Sequence, residues 1–307
     1  MFCELAIDVD WLKQSLRLNA SGIVAKRASL PKVEGTIAIL PIHGMISQRA
    51  SIWQEIFGGT ATQSLTAAYT RAVNDERIKG IVLDIDSPGG TTAGVQEAAD
   101  IIHEGAQIKP TVAISNSLAA SAAYWLGSQV GSGRFMAAPG SSTGSIGVYM
   151  MHEDISTMLS NAGVNIEFIA TPEHKVEGNP YQPLDDEARQ HYKEQVQQTY
   201  EQFVGSVARG RGVTTKQVKD QFGKGRTFHE KDAAAAGMVD GVATLTGMLQ
   251  KMGGGKAHGS QATIVAELEE CWKFGIPVAM HHPTSREMRE REFRLRKLGL
   301  TTSEAVS

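Results

Sequence analysis

The sequence predicts an α/β domain, on three observations. Short apolar runs bounded by turn residues alternate with segments of helical spacing from residue 35 to about residue 210. Glycine-rich turns close several of the apolar runs. At 307 residues the chain can bury a large core, and 41% apolar with 21% charged residues is the composition of an ordinary globular protein.

Residues 1–34 read as an N-terminal arm with a short amphipathic helix, Asp8 to Leu18, and a basic link at 25–29. Thr36–Ile42 is an apolar strand that stops at His43-Gly44. Gln63–Asn74 follows with Leu65, Ala68, Tyr69, Ala72 and Val73 on one helical face. Gly80–Ile85 predicts a second strand and Thr92–Gly105 a second helix. Thr111–Ser115 predicts a third strand, and Ala119–Gln129 a helix carrying Ser121. Short strands near Phe135 and over Ile146–His152 flank the loop Pro139–Gly147, and Asn165–Ala170 predicts another strand. A long polar helix is expected from about Asp185 to Arg209. After the segment from Gly225 to Val242, Gly253–Ser260 reads as a glycine-rich linker. Beyond it, Ala262–Phe274 and Ser285–Leu298 have the pattern of surface helices, the second dense in alternating charge. The expected division is an arm at 1–34, a domain at 35–252, and a linker with a helical tail at 253–307.

Two segments carry chemistry. Ser121 lies in Ser-Leu-Ala-Ala-Ser-Ala-Ala-Tyr-Trp-Leu, where an apolar helix begins. A hydroxyl there is close to the free amides of the first helical turn, where developing negative charge is favoured. Upstream, Asp-Ser-Pro-Gly-Gly at 86–90 follows a strand, so the amides of Gly89 and Gly90 are expected to point at a ligand. A nucleophile with preorganised amide donors is the minimum equipment for acyl transfer.

Serine needs a base to accept its proton. Nine histidines are present, at 43, 103, 152, 174, 191, 229, 258, 281 and 282, and none stands in a recognisable catalytic context. A lysine serves only when neutral, and lowering its pKa from about 10.4 towards 7 takes roughly 4–5 kcal/mol of desolvation in an apolar site. Lys175 is the best placed, in the loop after the predicted strand Asn165–Ala170. Taken alone, a lysine in a polar loop reads as a solvated charge, and composition and spacing do not overturn that.

The order of five motifs settles more. They are strand–Asp-Ser-Pro-Gly-Gly, Ala-Ala-Ser-Ala-Ala-Tyr, Thr-Gly-Ser-Ile-Gly-Val, His-Lys, and Gly-Arg-Thr-Phe with Ala-Ala-Gly-Met-Val-Asp. Over about residues 35–250 this order resembles the signal peptide peptidase (protease IV) family. The resemblance implies the Clp-protease/crotonase fold of repeated strand–strand–helix units. It implies a Ser/Lys dyad of Ser121 as nucleophile and Lys175 as general base, 54 residues apart. It also implies an oxyanion hole from Gly89 or Gly90 with the Ala122 amide, and Ser145 orienting Lys175. Ser145 reads equally well as a turn serine. No cofactor and no metal are implied, and the fold's habit of forming rings suggests a homo-oligomer. The alanines around Ser121 suggest a groove for extended peptides with small or apolar side chains.

Composition excludes several classes. A net charge of −3 offers no basic field for nucleic acid. Cys3 and Cys271 near opposite ends form neither a disulfide framework nor a zinc pattern. The acidic start, with Glu4, Asp8 and Asp10, is unlike a secretory leader, and no run approaches a membrane span. The chain is therefore expected in the cytoplasm. Without an anchoring segment it looks like the phage branch of the family, whose proteases cut scaffold and capsid proteins in a procapsid. The alternatives are a host peptidase acting on signal peptides or other short peptides, a crotonase-type acyl-CoA enzyme, and an inactive scaffold.

Overall fold

The computed structural model describes residues 35–50 and 59–253. The expected arm at 1–34, the linker beyond Gly253 and the two tail helices lie outside the described residues.

A seven-stranded sheet organises the rest. Its strands are β1 (Thr36–Ser47), β2 (Thr60–Ala61), β3 (Ile78–Gly90), β4 (Thr111–Ala120), β5 (Phe135–Ala137), β6 (Ser142–Gly144) and β7 (Thr227–His229). The order is β2-β1-β3-β4-β6-β7, with β5 also paired to β4. Every pairing is parallel except β6 with β7. Parallel neighbours require crossovers, and helices α1 (Thr62–Asn74) and α2 (Val95–Ile108) supply the first two. Pro41 is tolerated inside β1 because β2 pairs only at Ile46 and Ser47, so β1 is an edge where the proline lacks its N–H.

The helices pack by the faces their spacing dictates. Leu65, Tyr69, Ala72 and Val73 of α1, and Val95, Ala98, Ala99 and Ile102 of α2, are buried against Ile81, Leu83 and Ile85 of β3. Gly105 lets α2 approach α1, since a Cβ there would sit 2.4 Å from the Tyr69 ring. Helix α3 (Ala122–Gly127) is buried throughout. After the short α4 (Ser156–Asn161), the long α5 (Asp186–Arg211) starts on an Asp185 cap that accepts from the Ala188 N–H at 2.7 Å. It ends on left-handed Gly212 and buries Phe203, Val204 and Val207 in the same core. Helices α6 (Thr215–Gln221) and α7 (Glu230–Ala235) follow. On the other face of the sheet, α8 (Leu245–Met252) seats Met248 and Met252 on Ile37, Val82, Val112 and Ile114.

Five elements differ from expectation. β1 does not stop at His43-Gly44 but runs on to Ser47, because β3 and β2 both pair with its last residues. β3 runs on through Asp-Ser-Pro-Gly-Gly to Gly90, because β1 continues alongside and pairs Met45 and Ile46 with Gly89 and Gly90. β4 likewise extends to Ala120, so the expected helix Ala119–Gln129 starts only at Ala122 and tightens into a 3-10 turn at Ser128–Val130. The expected strand Ile146–His152 is instead the three residues Ser142–Gly144, where β7 provides the ladder partner. The expected strand Asn165–Ala170 is irregular chain. An extended segment becomes a strand only when a neighbour takes its N–H and C=O groups, and among the described residues none lies beside it.

Candidate active site

Ser121 sits where β4 turns into α3. The turn is sharp: Ser121 has φ 54° and ψ −123°, a conformation side chains rarely adopt. Such a residue costs about 1–3 kcal/mol and persists only where its surroundings hold it. Here the Ser121 N–H donates to the Gly144 carbonyl at 2.8 Å, and the Trp125 N–H donates to the Ser121 carbonyl at 3.0 Å. A strained strand-to-helix turn lifts a serine hydroxyl clear of its own backbone, as nucleophile elbows do. The alanines at 119, 120, 122 and 123 leave room for it.

The two glycines of β3 do different work. A Cβ on Gly89, at φ 94°, would lie 2.8 Å from the Ser121 Cβ and 3.0 Å from the Ala122 nitrogen. The missing side chain thus leaves a small space bordered by Ser121 and the first amide of α3. The Gly89 N–H donates to Ser87 Oγ at 3.1 Å, and that hydroxyl donates to the Gly44 carbonyl at 2.6 Å. The amide expected to be open is therefore engaged. Gly90 serves strand approach, since a Cβ there would fall 1.9 Å from the Ile46 carbonyl oxygen.

Ser145 is the residue after Ser121's backbone partner, and it too has positive φ, 55°. Its N–H donates to the Arg226 carbonyl at 2.8 Å, while β6 and β7 pair Gly144 with Thr227. Ser121, Gly89, Ala122 and the Gly144–Ser145 corner therefore form one cluster at the ends of β3, β4 and β6. Both serines singled out in the sequence are backbone outliers. The only other non-glycine outlier among the described residues is Lys224.

Among the described residues, nothing draws Lys175 into an apolar pocket. It is exposed, in a 3-10 turn at Glu173–Val176 whose Lys175 N–H donates to the Pro172 carbonyl at 3.0 Å. The stretch around it is the least covered part of the described molecule. Eight of the eleven large apolar side chains left exposed fall between Tyr149 and Tyr181, including Tyr149 at 90% and Ile169 at 96%. Three histidines have partners of their own: His43 meets Asp84 at 3.6 Å, His174, in the same turn as Lys175, meets Glu173 and Glu177, and His191 meets Gln195. His258, His281 and His282 lie outside the described residues.

Sequence reasoning missed two supports. Ser87, buried, links Gly44 to Gly89, although Ser-Pro gave only a turn signal. Arg211 is 2% exposed and forms a forked pair with Asp240 at 2.8 and 2.9 Å. Nothing in a helix-end Arg-Gly-Arg distinguishes the buried arginine from the exposed one.

The family model for Peptidase family S49 matches residues 103–258, which spans the Ser121 turn, Ser145 and Lys175. The chain belongs to peptidase family S49. The mixed α/β fold with its mostly parallel sheet is the ClpP/crotonase-like fold of that S49 family. Among curated proteins it is 32% identical over 238 residues to the capsid assembly protease C of Escherichia phage lambda, covering 78% of this chain and 53% of the relative. It is 31% identical over 254 residues to the head-tail preconnector protein GP5 of Enterobacteria phage P21, covering 78% of this chain and 50% of the relative. A putative signal peptide peptidase SppA of Enterococcus faecium is 30% identical over 184 residues, covering 59% of this chain and 52% of the relative. The S49 chain spans about half the length of these curated relatives. No helix among the described residues is long and apolar enough to cross a membrane.

Proposed function

We propose that this S49 chain is a serine endopeptidase with Ser121 as nucleophile and Lys175 as its general base. The observation that carries the reading is the strained Ser121 turn, walled by Gly89 on one side and Gly144–Ser145 on the other. In the reaction, Ser121 Oγ attacks the scissile carbonyl and its proton passes to neutral Lys175. Because the Gly89 N–H is held by Ser87 Oγ, the donors proposed for the developing oxyanion are the Ala122 and Gly90 amides. The lysine proton then goes to the leaving amine, and water hydrolyses the acyl-enzyme with Lys175 again accepting the proton. Ser145, on its strained corner, would orient the lysine.

Lysine chemistry requires desolvation that the described residues of the single chain do not provide. We therefore propose a homo-oligomer, in which a second copy laid over the exposed apolar stretch from Tyr149 to Tyr181 buries the turn that carries Lys175. The substrates we propose are scaffold, capsid or portal proteins of a procapsid, in a host cytoplasm. Similarity over 78% of the chain to a capsid assembly protease supports this. A cytosolic peptidase of signal peptides or other short peptides is the second reading, favoured by the SppA relative.

Purified Ser121→Ala should lose peptide cleavage while keeping its circular dichroism spectrum, because small replaces small. Lys175→Arg should be nearly as inactive, since arginine keeps its proton and members of one catalytic unit are not additive. Normal turnover by either variant would overturn the assignment of that residue. Co-expression with candidate capsid and scaffold proteins, read by their processing, separates the two substrate readings.

A further inference from the structure

We infer that Tyr124 is a positioning residue for Ser121, acting through the hydrogen bond its hydroxyl donates to the Met238 carbonyl. The inference rests on the reading of Ser121 as nucleophile.

Tyr124 lies on α3, three residues after Ser121, and is completely buried. Its hydroxyl reaches the Met238 carbonyl at 2.9 Å, across 114 residues of sequence. Burial pushes its phenol above the ordinary range, so it remains a donor at any working pH. The acceptor is equally fixed. The Met238 N–H donates to the Ala233 carbonyl at 2.9 Å. Two residues on, Asp240 brackets β5: its N–H donates to the Phe135 carbonyl at 2.7 Å, and its Oδ2 accepts the Phe135 N–H at 2.9 Å. Arg211 then forks onto Asp240 and donates to the Gly237 carbonyl at 3.1 Å, with both side chains of the pair inaccessible. The turn Gly237-Met-Val-Asp is thereby fixed to β5 and to the end of α5, and Tyr124 ties α3 to it.

The next residue fixes the other side. The Trp125 ring stacks on Phe203 of α5 with centroids 4.5 Å apart and 6° between planes. Its N–H is also the one that holds the Ser121 carbonyl. Helix α3 has only six residues and little rigidity of its own. Two consecutive aromatic anchors, one polar and one stacked, stop it rolling about its axis. Without the polar anchor α3 can turn, and Ser121 can relax from φ 54° towards an unstrained conformation that carries Oγ away from the Ala122 amide and Gly89. The Ala-Gly-Met-Val-Asp motif near residue 240 thus has a task in catalysis although it lies far along the chain from the nucleophile.

The full chain and its Tyr124→Phe and Tyr69→Phe variants are to be compared. Tyr69 is the matched control: it is fully buried, its hydroxyl meets the Ile102 carbonyl at 3.1 Å and Thr111 Oγ1 at 3.0 Å, and it is on α1 rather than α3. The readouts are covalent labelling of Ser121 by a fluorophosphonate, and kcat and KM on a peptide the wild type cleaves. Tyr124→Phe should lower the maximal labelling rate and kcat together by about tenfold or more, as small misplacements of a nucleophile do, with KM within about twofold. Tyr69→Phe should leave both rates near wild type. Equal rates per folded molecule in Tyr124→Phe, or an equal loss in Tyr69→Phe, would overturn the inference. Should Tyr124→Phe fail to fold, Asp240→Glu, which keeps the charge but shifts the clamp, decides by the same readouts. Wild type that is never labelled at Ser121 would instead overturn the nucleophile reading beneath it.

Discussion

Replacing Gly89 by alanine tests the architecture of the site through one added methyl group. Two costs are separable. The first is backbone strain, because Gly89 has φ 94°, and a side chain in such a conformation costs about 1–3 kcal/mol. The second is contact: the new Cβ would lie 2.8 Å from the Ser121 Cβ and 2.9 Å from the Ala120 carbonyl oxygen, where ordinary contact begins at 3.4 Å. Ser121 must therefore move by about half an ångström, and displacements approaching 1 Å can cost about 100-fold in rate. Gly131→Ala isolates the strain, because Gly131 has φ 95° and nothing within 4 Å of its Cβ position. Both variants should lose a few degrees of Tm, at roughly 2–4 °C per kcal/mol in a domain of this size. Only Gly89→Ala should lose kcat as well, by about 10- to 100-fold. The assays are thermal unfolding by circular dichroism and turnover of a fluorogenic peptide. Full kcat in Gly89→Ala would refute the placement of Gly89 against the nucleophile.

Other expectations follow from the same geometry. Asp240→Ala strands the buried Arg211 guanidinium and should destabilise the chain by about 3–5 kcal/mol, read as a shift in urea midpoint; a change under 1 kcal/mol would mean the pair is solvated. Burial pushes the Tyr69 phenol up to about 12 and Tyr124 further, against about 10 when unfolded. A raised phenol pKa contributes stability that is complete below pH 10 and is lost as pH rises from 10 towards 12. Tyr69→Phe should flatten that alkaline decline in the urea midpoint, and an unchanged slope would contradict it. Truncation after Met252 keeps α8, whose Met248 and Met252 close the second core cluster, and should leave hydrolysis of a short peptide intact; its loss would place residues 253–307 in the site or the assembly.

Much of this was legible in the sequence because local rules and tertiary context agreed. Leu65, Tyr69, Ala72 and Val73 announced a helix and formed one. The serine in an alanine run stands at a strand-to-helix turn, as expected, whereas the Gly89 amide expected to be open is held by Ser87 Oγ. Legibility failed where structure depends on a neighbour. Residues 165–170 have the composition of a strand but find no partner among the described residues, whereas Gly89 and Gly90, poor strand formers, are carried into β3 by pairing with β1. Lys175 was chosen by family resemblance, and its exposure shows why physics alone could not select it. The apolar cover that a neutral lysine needs is absent from its own described chain. Arg211 and Asp240 escaped notice because charged residues read as surface until their partner is known.

The central claim is that Ser121 is the attacking atom's residue, and covalent trapping tests it most directly. The full chain is incubated with a fluorophosphonate and digested, and the adduct is located by mass spectrometry. The account predicts a single stoichiometric adduct on Ser121, formed far more slowly in Lys175→Arg. An adduct on another serine, or peptide cleavage that proceeds while Ser121 remains unmodified, would contradict it.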